Sequence, residues 1–165
     1  MRPGDHPEFF RFPAPEGRSR ESSIVLDPNG RFFHEGQLVS HPGLVAALHQ
    51  WIDRHPDDQR YILTNGYDWT YFTVEDAPYF VRAITSGGEL ELSDGSTEPF
   101  PESGYRIGRA DALYCSVKGG RFEARFTPAA QTGLGPFLAE EEGGLVLRIG
   151  ERRIRLPAGG APGAR

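Results

Sequence analysis

Apolar residues in this chain fall into short runs broken by Gly, Pro, Asn and Asp, a hairpin pattern, with helical spacing in only two places. "SIVLDPNGRFFHEGQLV" predicts strand, turn, strand. Ile24, Val25 and Leu26 favour the extended chain, Asp27-Pro28-Asn29-Gly30 supplies the turn, and Phe32-Phe33 resumes the strand. A helix follows, with Ser40 as its cap and Pro42 in its first turn. Leu44, Val45, Leu48, Trp51 and Ile52 line one face, and Pro56 lies beyond the end. "RYILTNGYDWTYFTV" then reads as strand, Asn65-Gly66 turn, strand. The order is ββαββ.

The same order recurs. "LYCSVKGGRFEARF" is a hairpin turning at Gly119-Gly120. "TPAAQTGLGPFLAEEEG" offers a Thr127 cap, Pro128 and apolar Ala130, Leu134, Phe137 and Leu138. "GLVLRIGERRIRLP" is a hairpin turning near Gly150-Glu151. Gly133, Gly135 and Pro136 predict that this second helix is kinked or begins late. "YFVRAITSGGELELSDGS" adds a hairpin to the second half. "GRFF" and "GRFE" occupy matching positions at 30–33 and 120–123, which makes the whole a degenerate ββαββ duplication. The predicted class is α+β, two mostly antiparallel units each with one helix.

The expected organisation has four parts. Residues 1–22 hold four prolines and form a loose arm pinned by Phe9, Phe10 and Phe12. Residues 23–79 form the first unit, 80–157 a second β-rich unit with one helix, and 158–165 a disordered Pro/Gly-rich tail. "VEDAP" falls at the joint. Glu75 and Asp76 are strand-end and turn residues there, because neighbours on a strand point to opposite faces and make a poor acid pair. Pro78 holds Ala77 extended.

Charge sharpens the division. Residues 1–104 carry 8 Arg against 17 acidic residues, a balance of −9, while residues 105–156 carry 9 Lys and Arg against 6 acidic residues, a balance of +3. Either the second half offers an anion-binding face, or the two halves attract each other; an acidic average argues against duplex nucleic acid as a partner. The longest aliphatic run, "LVAAL", is far short of a membrane span, and one cysteine allows no internal disulfide, so a cytoplasmic setting is expected.

Candidate chemistry is sparse. The five histidines lack metal-helix spacing, and no GxSxG, HExxH or GxxxxGK[ST] occurs, so no metal, no cofactor and no catalytic residue is assigned. Cys115 sits mid-strand as an inert thiol, and "KGGR" reads as a hairpin turn. Arg121 and Arg125, an even number apart, share a strand face and with Arg106 and Arg109 could fork a phosphate or carboxylate. Trp69, Tyr71 and Tyr79 near the joint could stack on a ligand. The competing reading pairs these arginines with the acidic first half.

Three segments, "DPNGRFFHEGQLVSHPGLVAAL", "VEDAPYF" and "GRFEARFTPAA", resemble the bacterial family called domain of unknown function 1285, across residues 24 to about 156. The chain departs from it at "TNGYDW", Thr64–Trp69, where members carry a Thr-Pro-Val-Glu-like segment. The resemblance implies a two-part fold with an internal duplication, a second half superficially like a pleckstrin-homology barrel, and a cleft between halves suited to a nucleotide-like ligand. It supplies no catalytic residues. The expected function is therefore a non-catalytic ligand-binding or signalling module for a small anion held between its halves. The alternatives are a protein-interaction adaptor using sheet edges or the N-terminal arm, and an unrecognised enzyme.

Overall fold

The computed structural model describes residues 1–157, so the expected tail at 158–165 lies outside the described residues. The chain divides into two units, Met1–Asp76 and Ala77 onward. The class is α+β.

Unit 1 begins with two short 3-10 turns, Pro3–Asp5 and Pro7–Arg11. The expected hairpin then forms from β1 (Ile24–Leu26) and β2 (Phe32–His34), with Leu26 opposite Phe32. Its turn is held by Asp27, whose carboxylate accepts the Asn29 and Arg31 amides at 2.9 and 2.8 Å, while Gly30 takes φ +84°. A two-residue edge strand β3 (Gln37–Leu38) follows, and then α1 (Pro42–Gln50). The helix differs from the expectation at both ends. His41 rather than Ser40 caps it, Nδ1 accepting the Leu44 amide at 3.3 Å. At the other end Trp51 is the C-cap, and Ile52 leaves the helix to open β4 (Ile52–Arg54). The apolar spacing that assigned Trp51 and Ile52 to the helix is overridden by strand pairing, because β4 lies against β5 (Tyr61–Thr64) with Ile52 opposite Leu63. A three-stranded meander β4-β5-β6 results, β6 being Trp69–Tyr71. Finally β7 (Thr73–Val74) pairs parallel with β1, completing the order β3-β2-β1-β7. Leu26, Phe32 and Ile62 are fully buried, and Leu48, Leu63 and Phe72 nearly so.

Unit 2 starts with β8 (Tyr79–Ile84), β9 (Glu89–Leu92) and β10 (Thr97–Pro99), the predicted hairpin plus one strand. Short β11 (Arg106–Ile107) leads to the hairpin β12 (Leu113–Val117) and β13 (Phe122–Phe126). These six strands form one sheet, ordered β10-β9-β8-β13-β12-β11, in which β13 runs parallel to β8. Helix α2 (Pro128–Gly133) is capped by Thr127, whose hydroxyl accepts the Ala130 amide at 3.1 Å. It begins where Thr127 and Pro128 place it and is interrupted, the kinked of the two expectations: Gly133, Gly135 and Pro136 break it into a 3-10 turn, Gly135–Phe137. A second meander, β14 (Leu138–Glu141), β15 (Gly144–Ile149) and β16 (Arg152–Arg155), follows, turning at Gly150-Glu151 as expected. Hairpin, helix and meander thus recur in the same order in both units. The joint, Glu75 to Pro78, links β7 to β8; Glu75 donates its amide to Leu26 at 2.9 Å, and Ala77 and Pro78 are buried.

Candidate functional site

Alternation along β12 and β13 builds one face of unit 2. Leu113, Cys115 and Val117 are buried, as are Phe122, Ala124 and Phe126, so Tyr114, Ser116, Glu123 and Arg125 project the other way. Register then sets a row across three strands, with Arg106 opposite Tyr114 and Tyr114 opposite Arg125. The Tyr114 ring has no exposed surface, and the Arg106 and Arg125 guanidinia lie 4.0 and 5.9 Å from its centroid. Arg106 also grips Glu123 bidentately at 2.6 and 2.7 Å. Close packing of this row leaves no room at Gly108, where a side chain would meet Arg106 and Tyr114 within 2.7 Å.

The other expected arginines fall around this row. Arg121 is exposed in the hairpin turn, 5.1 Å over the Phe122 ring. Arg109 sits in a 3-10 turn and offers its carbonyl to Arg125 at 3.5 Å. Glu123 lies on the same face between Arg121 and Arg125. None of the four arginines is without a partner. Lys118 belongs to the turn scaffold: it holds φ +57° while its ammonium bonds Asp94 at 2.7 Å and Ser96 at 2.9 Å. Burial alone would raise the Asp94 carboxyl, but Lys118 and Ser96 outweigh it and hold the group below the usual carboxylate range.

The aromatic candidates separate. Tyr79 is buried in unit 2, edge-on to Phe122 at 5.2 Å. Trp69 and Tyr71 are neighbours in unit 1, ring centres 5.0 Å apart, and protein cations already cover them: Arg20 lies 4.5 Å from the Trp69 centroid and Arg60 3.7 Å from that of Tyr71.

A groove of about 540 Å³ in unit 2 is lined by Glu98, Glu102, Ser116, Gly119 and Arg152 among others. Arg152 there is held by Glu102 and donates to the Phe100 carbonyl at 2.6 Å. Its carboxylates give this groove the wrong sign for an anion. Cys115 is fully buried, and burial, with Glu98 and Glu123 adding to it, pushes the thiol up to about 12, as expected of an inert sulfur. Among the described residues no cluster of three or more metal-binding side chains forms, and no helix is long and apolar enough to cross a membrane.

Unit 1 holds an assembly of which only the phenylalanine pins were expected. Residues 1–12 pack onto the meander, with Phe10 buried against Ile62 and Trp69, and Phe9 and Tyr71 at the margin; Phe12, expected as a pin, is exposed. His55 is buried beneath them. Its Nδ1 accepts the Asp57 amide at 3.1 Å, so Nε2 carries the proton and donates to the Phe10 carbonyl at 3.0 Å. Arg11 forks onto Asp57 at 2.8 to 3.1 Å, and Arg60 onto Glu21 at 2.9 and 3.0 Å. The Tyr71 hydroxyl donates to Asp58 at 2.8 Å. These contacts hold Glu21 and Asp57 below the usual carboxylate range. Asp58 ends there too: burial pushes it up, and the Arg60 amide and Tyr71 hydroxyl outweigh that. The sequence signal was Phe9-Phe10 flanked by proline and arginine.

No family model matches the chain, and no curated protein matches it. Two solved structures are similar. One is a DUF1285 family protein from Silicibacter pomeroyi DSS-3, with TM-score 0.66 and 17% identity, covering 89% of this chain and 91% of that one. The other is a DUF1285 family protein from Shewanella baltica OS155, with TM-score 0.50 and 17% identity, covering 67% of this chain and 88% of that one.

Proposed function

We propose, from the premise of a DUF1285-like fold, that this chain is a non-catalytic binding module that takes a small anion of the nucleotide class on the basic face of unit 2. One observation supports the reading above the rest. Arg106, Tyr114 and Arg125 form a row, and Arg121 and Glu123 lie on the same face, so several forked donors share one face with a single carboxylate, Glu123, which Arg106 grips. Because these guanidinia already have partners, an incoming anion exchanges with them rather than filling a vacancy. Affinity therefore depends on Glu123 as much as on the arginines.

The test is the melting temperature of the full chain with pyrophosphate, mononucleotides and cyclic dinucleotides at varied salt. At 100 times its dissociation constant a ligand adds about 2.7 kcal/mol, a shift of several degrees for a chain of this size. The expected result is a salt-sensitive shift that Arg121→Ala with Arg125→Ala abolishes and Glu123→Gln enlarges. A shift that survives the double substitution, or none with any anion, removes the reading.

A further inference from the structure

We infer that the aromatic groove of unit 1 is a peptide-docking surface, occupied in this chain by its own N-terminal segment, and that its partner is a segment of the type Phe-Phe-Arg. The inference stands apart from the anion reading, since it uses unit 1 alone. Its floor is Ile62, Trp69 and the buried His55; its rim carries Asp57 and Asp58. The floor, His55 and Asp57 each meet a match on the segment "PEFFR", Pro7–Arg11. Phe10 fills the floor and stands 6.0 and 6.1 Å from the Trp69 and His55 rings. The Phe10 carbonyl takes the His55 proton, and Arg11 forks onto Asp57. That is one apolar anchor, one main-chain bond and one charge pair, the grammar of short-peptide recognition.

Three observations make the occupant displaceable. Only Phe10 of the first twelve residues is buried, with Phe9 packed partly buried beside it, so the segment's apolar hold is this one pair. Its Arg11–Asp57 pair is exposed, with side chains 53% and 46% accessible, and exposed pairs hold weakly and are screened by salt. At its side the cleft lined by Arg2, Gly4 and Phe10 together with Gln50, Ile52 and Thr64, about 350 Å³, means that the segment does not pack continuously against the unit. A second latch lies at Gly4, which donates its amide to Gly66 at 2.8 Å so closely that a side chain on Gly4 would come within 2.9 Å of Gly66. After Phe12 the chain runs through "PAPEGRS", whose residues are exposed or half-exposed, before Arg20 returns to β6. The docked segment thus hangs on a tether that lets it leave without unfolding the meander.

The experiment uses the full chain and a fluorescently labelled peptide spanning residues Asp5 to Pro13. In the Phe9→Ala, Phe10→Ala chain the tethered competitor has lost its anchors, and the peptide's anisotropy should rise with an affinity about tenfold or more above that of the unmodified chain, the penalty of cis occupancy being gone. A peptide with both phenylalanines changed to Ala should not bind, and Asp57→Ala should weaken binding. Failure of the peptide to bind the folded double variant, or equal binding to both chains, overturns the inference. If that variant does not fold, hydrogen exchange on the unmodified chain decides: the Gly4 and Phe9 amides should exchange much faster than those of β5. Equal protection would make the segment a fixed part of the core and end the proposal.

Discussion

The two meanders, β4-β5-β6 and β14-β15-β16, each follow a helix and each must protect an outer strand, and they do so by different physics. In unit 1 the chain covers its own edge. The Tyr71 amide of β6 donates to the Arg20 carbonyl at 2.7 Å, and the Ser22 hydroxyl donates to the Tyr71 carbonyl at 2.6 Å. Its cations lie over rings, with Arg20, Arg54 and Arg60 over Trp69, Tyr61 and Tyr71. In unit 2 the outer strand β16 is charged instead: Arg153 binds Glu141 and Glu142, Arg155 binds Glu142, and Arg148 of β15 joins Glu141. One edge is covered and the other repels pairing through charge, two established answers to the same liability. A repeated order of elements therefore does not repeat its surface, and partners should be sought for each unit separately.

Four measurements can break or sharpen that contrast. Buried aromatics should matter most and equally in both units: Phe32→Ala and Phe126→Ala, each at positions without exposed surface, should each cost about 3 to 5 kcal/mol in chemical denaturation. A much smaller loss in either unit would show that its core is not close-packed. The covering segment should cost less. Phe10→Ala removes a residue buried against only a small cluster, Ile62 and Trp69, and a loss of about 2 kcal/mol is expected, with faster proteolysis confined to residues before Ser22. Helix caps come next. Thr127→Ala should cost about 1 kcal/mol, because an N-cap hydroxyl satisfies an otherwise orphaned amide, and His41→Ala should cost less for its longer bond.

The smallest effect is acid release of the arm. Glu21, Asp57 and Asp58 have folded-state carboxyls below their ordinary range, so their stabilisation is complete above an unfolded value of about 4 and is lost as pH falls through the lower folded values. Amides in residues 1–12 should lose protection, measured relative to the intrinsic exchange rate at each pH, as pH falls below about 4 and before those of β5 do. Arm and β5 losing protection together would mean that the carboxylates hold the whole unit and not the segment.

Much of this architecture was legible because turns have chemistry of their own. Asp27 to Gly30, Gly119-Gly120 and Gly150-Glu151 each announce a hairpin by residue type. Thr127 and Pro128 announce α2 in the same way. What failed was anything that depends on a distant strand. Trp51 and Ile52 continue a helical stripe in sequence, yet β5 offers Ile52 a pairing that no local signal reveals. Ser40 carries the usual capping hydroxyl, yet the helix starts at Pro42, which puts His41 at the cap position, where its ring nitrogen accepts the Leu44 amide instead. At the candidate site, spacing alone places Arg121 and Arg125 on one face with Glu123 between them. That Arg106 claims Glu123, and that Tyr114 stands between Arg106 and Arg125 in the row, follows from the β11-β12 and β12-β13 registers, the first of which a two-residue strand cannot advertise.

The burial of Cys115 has a practical side. It is the chain's one cysteine, and at neutral pH a thiol with a pKa near 12 is protonated and out of reach. Any cysteine introduced elsewhere is then the sole reactive sulfur, with no native residue to remove first. Placed at Phe12, where 64% of the side chain meets solvent, it would carry a spin or fluorescent label that reports directly whether the N-terminal segment is seated or away.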